Sequence, residues 1–297
     1  MKFATAALLA LTMGAAGFSA AADTLKKVTD TGRIAISYRE SSVPFSYIAG
    51  AGKPVGFSMD MADAVVREVK RRTGKVLEVE YVSVTSQNRI PLLVNGTIDL
   101  ECGSTTNNAD RQKQVSFTIT HYVTANRFVS KKADNLRTLA DLKGKTIVST
   151  AGTTNIKQMT ELNAQQNLGM NILSAKDHAE SFLMVETGRA AAFFMDDILL
   201  AGLVANHANP GQWVVSADPL SIEPYGIMLR KDDPAFKKVV DGAMTAMYKS
   251  GEVGRLYMKW FQSAIPPRGI NLNTPMSDSH KKVAANPTDS PDPAVYR

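Results

Sequence analysis

From Arg33 onward, segments of strand period alternate with amphipathic helical ones, and that alternation leaves few folds open. Arg33 to Tyr38 reads as a strand with Ile34 and Ile36 on one face, followed by a loop holding Pro44, Gly50 and Gly52. A helix comes next: Ser58 is placed to cap it, Asp60 lies in its first turn, and Met61, Val65 and Val69 recur every four residues until Gly74 ends the run. Leu77 to Val84 reads as a second strand, Ile90 to Val94 as a short helix after Asn88, and Ile98 to Cys102 as a third strand. This βαβαβ order argues a mostly parallel sheet covered by helices, with ligands at the carboxyl ends of its strands.

Near Ala125 the pattern restarts. A strand from Thr146 to Ser149 leads into Gly152-Thr153-Thr154, which opens a helix. Ile172-Leu173, Ala179 to Gly188, Ala191 to Met195, Ile198 to Ala205 and Trp213 to Val215 then read in turn as strand, helix, strand, helix and strand. Tyr225 to Arg230 is expected as one more strand, with helices from Pro234 to Lys249 and from Glu252 to Phe261. The expectation is an α/β protein of two lobes. From Pro266 onward Pro, Asn, Ser and Asp dominate, so residues 271–297 are expected to form a mobile tail.

The first 22 residues carry Lys2, an apolar run through Leu8, Leu9, Leu11 and Met13, and then Ser19, Ala20, Ala21 and Ala22. That is the build of a secretory signal peptide, with cleavage expected after Ala21 or Ala22 and a soluble exported protein as product. Cys102 is the sole cysteine, which excludes an intrachain disulfide and a zinc knuckle. The net charge of +6 is dispersed, and no Lys/Arg block offers a nucleic-acid footprint. No nucleophile elbow, Walker loop, zinc helix motif or dinucleotide fingerprint is present, so the expected role is binding without catalysis, metal or cofactor.

Polar residues gather instead at the expected strand ends: Arg39, Ser86, Arg89, Ser104, Thr106, Arg111, Thr154, His178 and Asp196. Ser104, Thr105 and Thr106 with Arg111 form a carboxylate clamp on paper, because a planar guanidinium meets both oxygens of a carboxylate while hydroxyls take the remaining lone pairs. Arg89 beside Ser86, and Thr154 after Thr153, sit at helix starts where backbone N–H groups favour anions. Each residue also has an ordinary reading: a surface cation for Arg39, helix caps for Ser86 and Thr153, loop chemistry for Ser104 and Thr106, a structural ring for His178. Asp196 ends an apolar strand and needs a cationic partner if buried, which a ligand ammonium could supply; Asp197 is expected to cap the next helix.

Taken together, RESSVPFSY, TSQNRIPLL, ECGSTTNN, SAKDH, GRA with MDD, and YG with MLRKDDP resemble the polar amino-acid-binding proteins of bacterial ABC importers over nearly the whole chain. The resemblance implies a type II periplasmic binding protein: residues 23–124 plus 225–270 as lobe one, 125–224 as lobe two, and two hinge strands that let the lobes close over one amino acid. It implies Arg111, Thr106 and Thr154 on the α-carboxylate, and Asp196 with Ser104 on the α-ammonium. Arg39, Ser86, Arg89 and His178 would surround the side-chain carboxylate of L-glutamate or L-aspartate. Three guanidiniums against Asp196 leave two positive charges for a ligand of net charge −1. The implied protein is a periplasmic monomer that delivers its ligand to a membrane permease.

One departure concerns Cys102: relatives of this kind are expected to carry a partner cysteine in the YG-x-MLR strand, and Ile227 stands there, so a free buried thiol is expected. Exported cyclohexadienyl or arogenate dehydratases resemble the same fold and supply the alternative function. For them Glu101, His121 and His178 are the available acids.

Overall fold

The computed structural model describes residues 23–50 and 52–297; the expected signal peptide lies outside them. Two five-stranded sheets organise the chain. In the first, Arg33–Tyr38 runs parallel to Glu78–Ser83 on one side and to Leu100–Glu101 on the other. The strand Met228–Arg230, supplied by a much later part of the chain, is antiparallel to Leu100–Glu101 and to Val115–Phe117. In the second, Thr146–Thr150 lies between Asn171–Ala175 and Ala192–Asp196, all parallel, and Asn126–Lys131 and Trp213–Val215 complete it as antiparallel strands.

Two chain crossings connect the sheets. Tyr122–Thr124 and Glu223–Tyr225 pair antiparallel, with Glu223 opposite Thr124. Tyr122 stacks on Phe261 at 4.9 Å between ring centroids, and Tyr225 meets Phe45 edge-on at 5.2 Å. Those rings bury large apolar surfaces and tie the crossings to the first lobe.

Expected elements are found with three instructive differences. The helix Phe57–Thr73 starts one residue before Ser58, whose hydroxyl is buried and donates to Gly103 O at 2.8 Å; the C-terminal Gly74 has the left-handed conformation that a β-carbon disfavours. The expected strand Tyr225 to Arg230 is two strands broken at Gly226–Ile227, because Gly226 passes the Phe117 ring where a β-carbon would stand 2.9 Å from Cδ1. Asp197 is not the cap of its helix. Asp196 holds the cap position, while the Asp197 carboxylate accepts from Thr124 Oγ1 at 2.5 Å and Arg127 Nε at 3.4 Å.

The expectation of a mobile tail is corrected as well. Asp278–Ala285 is a helix and Pro293–Tyr296 a 3-10 turn, with Val283, His280 and Tyr296 buried. Thr288 O accepts from Thr120 N at 2.8 Å, and the Asp289 carboxylate accepts from Lys237 Nζ at 2.9 Å, so polar composition here serves docking rather than disorder. No helix among the described residues is long and apolar enough to cross a membrane.

Candidate functional site

Strand ends from both sheets converge between the lobes. Eight of the nine singled-out residues, namely Ser86, Arg89, Ser104, Thr106, Arg111, Thr154, His178 and Asp196, line one narrow cleft. Arg39 follows the first strand as expected, but it lines an adjoining cavity and not this cleft.

Lobe one supplies most of the cations. Arg89 opens a one-and-a-half-turn helix after Asn88, and its Nη1 donates to Thr105 Oγ1, which in turn donates to Glu101 Oε2 at 2.6 Å. Arg111 is positioned by the short helix Ala109–Gln112, capped by the Asn108 side chain. Its Nη1 donates to Thr106 O at 2.8 Å and its Nη2 reaches across to Gly152 O at 3.3 Å. Burial, with Arg89 second, pushes the Arg111 guanidinium down to about 9; burial, again with Arg89 second, pushes Arg39 down to about 10. Burial lowers Arg89 too. All three remain cations at neutral pH whose charged form is poorly compensated, which a carboxylate ligand would relieve.

Lobe two supplies Thr154, His178 and Asp196. Thr153 caps its helix, accepting from Ile156 N, whereas the Thr154 hydroxyl donates to Glu223 Oε2 at 3.3 Å and lies 3.4 Å from that of Thr106. His178 Nδ1 is 2.9 Å from Thr150 Oγ1, and burial plus the charges of Arg39 and Arg89 hold the ring well below its ordinary pKa, hence neutral. Asp196 accepts from Asn155 Nδ2 at 2.8 Å and from the Tyr225 hydroxyl. Burial and the nearby Glu223 still push its carboxyl up to about 7.

Polar atoms without a partner mark the same place. Arg39 Nη1, Ser86 Oγ, Arg89 Nε, Ser104 Oγ and His178 Nε2 are all buried and make no hydrogen bond. Buried polar groups are nearly always satisfied, so four orphans lining one cleft, with Arg39 in the adjoining cavity, describe a site shaped for a polar ligand.

The sequence reading missed Glu101, Asn155, Glu223 and Tyr225 as members of this network. Glu101 is fully buried and its Oε1 stands 3.8 Å from Arg89 Nη1, which removes one of the two positive charges counted from the sequence. The available signal was ECGSTT itself, where a carboxylate ending an apolar strand needs a nearby cation.

The chain matches the family described as bacterial extracellular solute-binding proteins, family 3, over residues 34–263. It belongs to that family. The L-glutamate/L-aspartate-binding protein of Pseudomonas aeruginosa is 53% identical over 268 residues, covering 90% of this chain and 89% of the relative. The glutamate/aspartate import solute-binding protein of Escherichia coli is 47% identical over 294 residues, covering 97% of each. Among solved structures, an ancestral amino acid-binding protein described as a precursor of cyclohexadienyl dehydratase superposes with a TM-score of 0.69 at 27% identity, over 80% of this chain and 99% of that one. The two-lobed periplasmic binding-protein fold expected from the sequence is the fold of this family.

Proposed function

We propose that this family member captures L-glutamate or L-aspartate in the periplasm, closes over it, and delivers it as a monomer to the permease of an ABC importer. The observation that carries the reading is the set of orphaned buried polar atoms on Arg39, Ser86, Arg89, Ser104 and His178, beside Arg111, which suits an α-carboxylate, and Asp196, which suits an α-ammonium. Arg111 with Thr106 and Thr154 would take the α-carboxylate, Asp196 with Ser104 the ammonium, and the remaining donors the side-chain carboxylate. The names of the Pseudomonas and Escherichia relatives support the ligand class and the importer. Binding energy drives closure because the ligand touches both lobes only when they meet.

A dehydratase needs a proton donor facing the ligand. His121 is held at about 3 by burial and sits against Ser58 at 3.1 Å outside the cleft, His178 is kept neutral, and Glu101 is engaged by Thr105. None of the three acids that the sequence offered for elimination chemistry presents a proton to the cleft.

Thermal unfolding of protein refolded free of ligand tests the reading, with L-glutamate, L-aspartate, L-glutamine, L-asparagine and arogenate added separately. A ligand at a hundredfold excess over its Kd adds about 2.7 kcal/mol to native stability, a shift of several degrees. The acidic pair should shift the melt strongly; a shift by arogenate alone would replace transport with catalysis.

A further inference from the structure

The segment that follows the helix Asp278–Ala285 docks on the lobe-one foot of both crossings. Thr288 O accepts from Thr120 N at 2.8 Å, two residues before the first crossing, Tyr122–Thr124. Asp289 O accepts from Asn107 Nδ2 at 2.8 Å, and the Asn107 backbone N–H donates to Pro224 O of the second crossing, Glu223–Tyr225, at 2.7 Å. Farther along, Pro293 and Arg297 line a cavity shared with Gln158 of lobe two and Glu223 of the second crossing.

This docking reaches the cleft at Asn107. The residue is 1% exposed and stands between Thr106, which lines the cleft, and the helix Ala109–Gln112, which carries Arg111. Its side chain is used at both ends: Nδ2 donates to Asp289 O, and Oδ1 accepts from Gln112 Nε2 at 2.9 Å. Gln112 Nε2 also donates to Asp289 O at 3.1 Å, closing a ring of hydrogen bonds among Asn107, Gln112 and the tail. Arg111 Nη1 in turn donates to Thr106 O at 2.8 Å. Without the tail, a buried amide beside the cleft loses its acceptor, and such a group does not stay in place unpaired.

We infer that the docked segment 288–297 is a brace for ligand binding as well as for stability: acting through Asn107, a positioning residue, it fixes Thr106 and Arg111 against the second crossing before a ligand arrives. This rests on the proposed function, in which Thr106 and Arg111 take the α-carboxylate. Asn107 bonds the tail with its side chain and the crossing with its backbone, so the brace joins the α-carboxylate corner to a strand about which the lobes close. Donors held in place beforehand bind more tightly, because the ligand does not bear the cost of ordering them.

The test compares wild-type protein, a chain ending at Asn286, Asn107→Ala, the two changes combined, and Tyr296→Phe, by calorimetric titration with L-glutamate and by amide hydrogen exchange below the melting temperature of each. The shortened chain should bind L-glutamate about tenfold more weakly, as expected when ordinary hydrogen bonds that order the site are lost. Asn107→Ala should lose about as much, and the combination no more than either change alone, because both interrupt one path. Amides of residues 106–112 should exchange faster in the shortened chain, whereas those of Thr146–Thr150 in lobe two should not. Tyr296→Phe keeps the buried ring and loses the hydroxyl that bonds Thr120 and Ser290. It should weaken binding about two- to threefold, which covers the case of a shortened chain that fails to fold. Affinity unchanged in the shortened chain, or in Tyr296→Phe where that chain fails to fold, would overturn the inference, as would losses that add in the combination. Wild-type protein indifferent to L-glutamate, with exchange at 106–112 still hastened by shortening the chain, would instead reject the proposed function alone.

Discussion

Gly152 of the second lobe lies so close to Gln87 of the first that a β-carbon on the glycine would stand 2.5 Å from the Gln87 α-carbon. Its φ of +74° independently excludes most side chains. Gly202 repeats the arrangement, where a β-carbon would be 2.7 Å from Val43 O. The lobes thus meet backbone to backbone on glycines, and an exposed ion pair of Lys157 with Asp110 at 3.0 Å spans the same gap. Gly152→Ala should therefore oppose closure: left-handed strain of about 1 to 2 kcal/mol together with the clash predicts roughly tenfold or greater weakening of glutamate binding. Small-angle scattering should show no contraction of that variant on adding ligand, and contraction equal to wild type would contradict the role of this close approach.

A pH dependence follows from Asp196. Its carboxyl is raised to about 7 by burial and Glu223, against a usual value near 4. A raised folded pKa means that ligand-free stability is full below about pH 4 and falls as the group ionises toward pH 7. A ligand ammonium reverses this by favouring the carboxylate, so glutamate affinity should weaken as pH falls below 7, with proton release on binding. Titrations in buffers of differing ionisation enthalpy measure that release. Asp196→Asn should bind poorly and release no proton, and proton release that persists in it would point to another group.

How much was legible in advance depended on whether a signal was local. Apolar periodicity placed Arg33–Tyr38, Trp213–Val215, Pro234–Lys249 and Glu252–Phe261 with their observed bounds. Strand-end polar residues pointed to the cleft because α/β folds present those ends to a crevice. Tyr225 and Glu223 were not legible, since they meet Asp196 and Thr154 only through pairings distant in sequence. The docked tail escaped for the same reason: Tyr296 is buried by bonding Thr120, a residue 176 positions away.

Cys102 is fully buried, and burial with Glu101 nearby raises its thiol well above the usual range. The pairing of Met228 with Glu101 carries Ile227 opposite Cys102 in the adjacent strand, where apolar packing replaces a disulfide. A thiol reagent should label native protein negligibly and find one group per chain after unfolding. Rapid labelling of the native state would refute that burial.

Tyr296 anchors the chain's end, with its hydroxyl 2.9 Å from Thr120 Oγ1 and bonded to Ser290 O at 2.7 Å. Replacing a fully buried aromatic residue by alanine costs about 3 to 5 kcal/mol. Urea unfolding of Tyr296→Ala should show a loss of that order, and a midpoint unchanged from wild type would mean the end of the chain does not hold its docked position.

The most direct test of the central claim compares L-glutamate with L-glutamine on ligand-free wild-type protein by titration calorimetry. The two differ only in the group that the proposed binding mode presents to Arg89, Ser86, His178 and Arg39. Each charge-assisted hydrogen bond to that group contributes roughly 1.5 to 3 kcal/mol, so L-glutamate should bind about a hundredfold tighter or more. Equal affinities would mean that these guanidiniums do not hold the ligand's side-chain carboxylate.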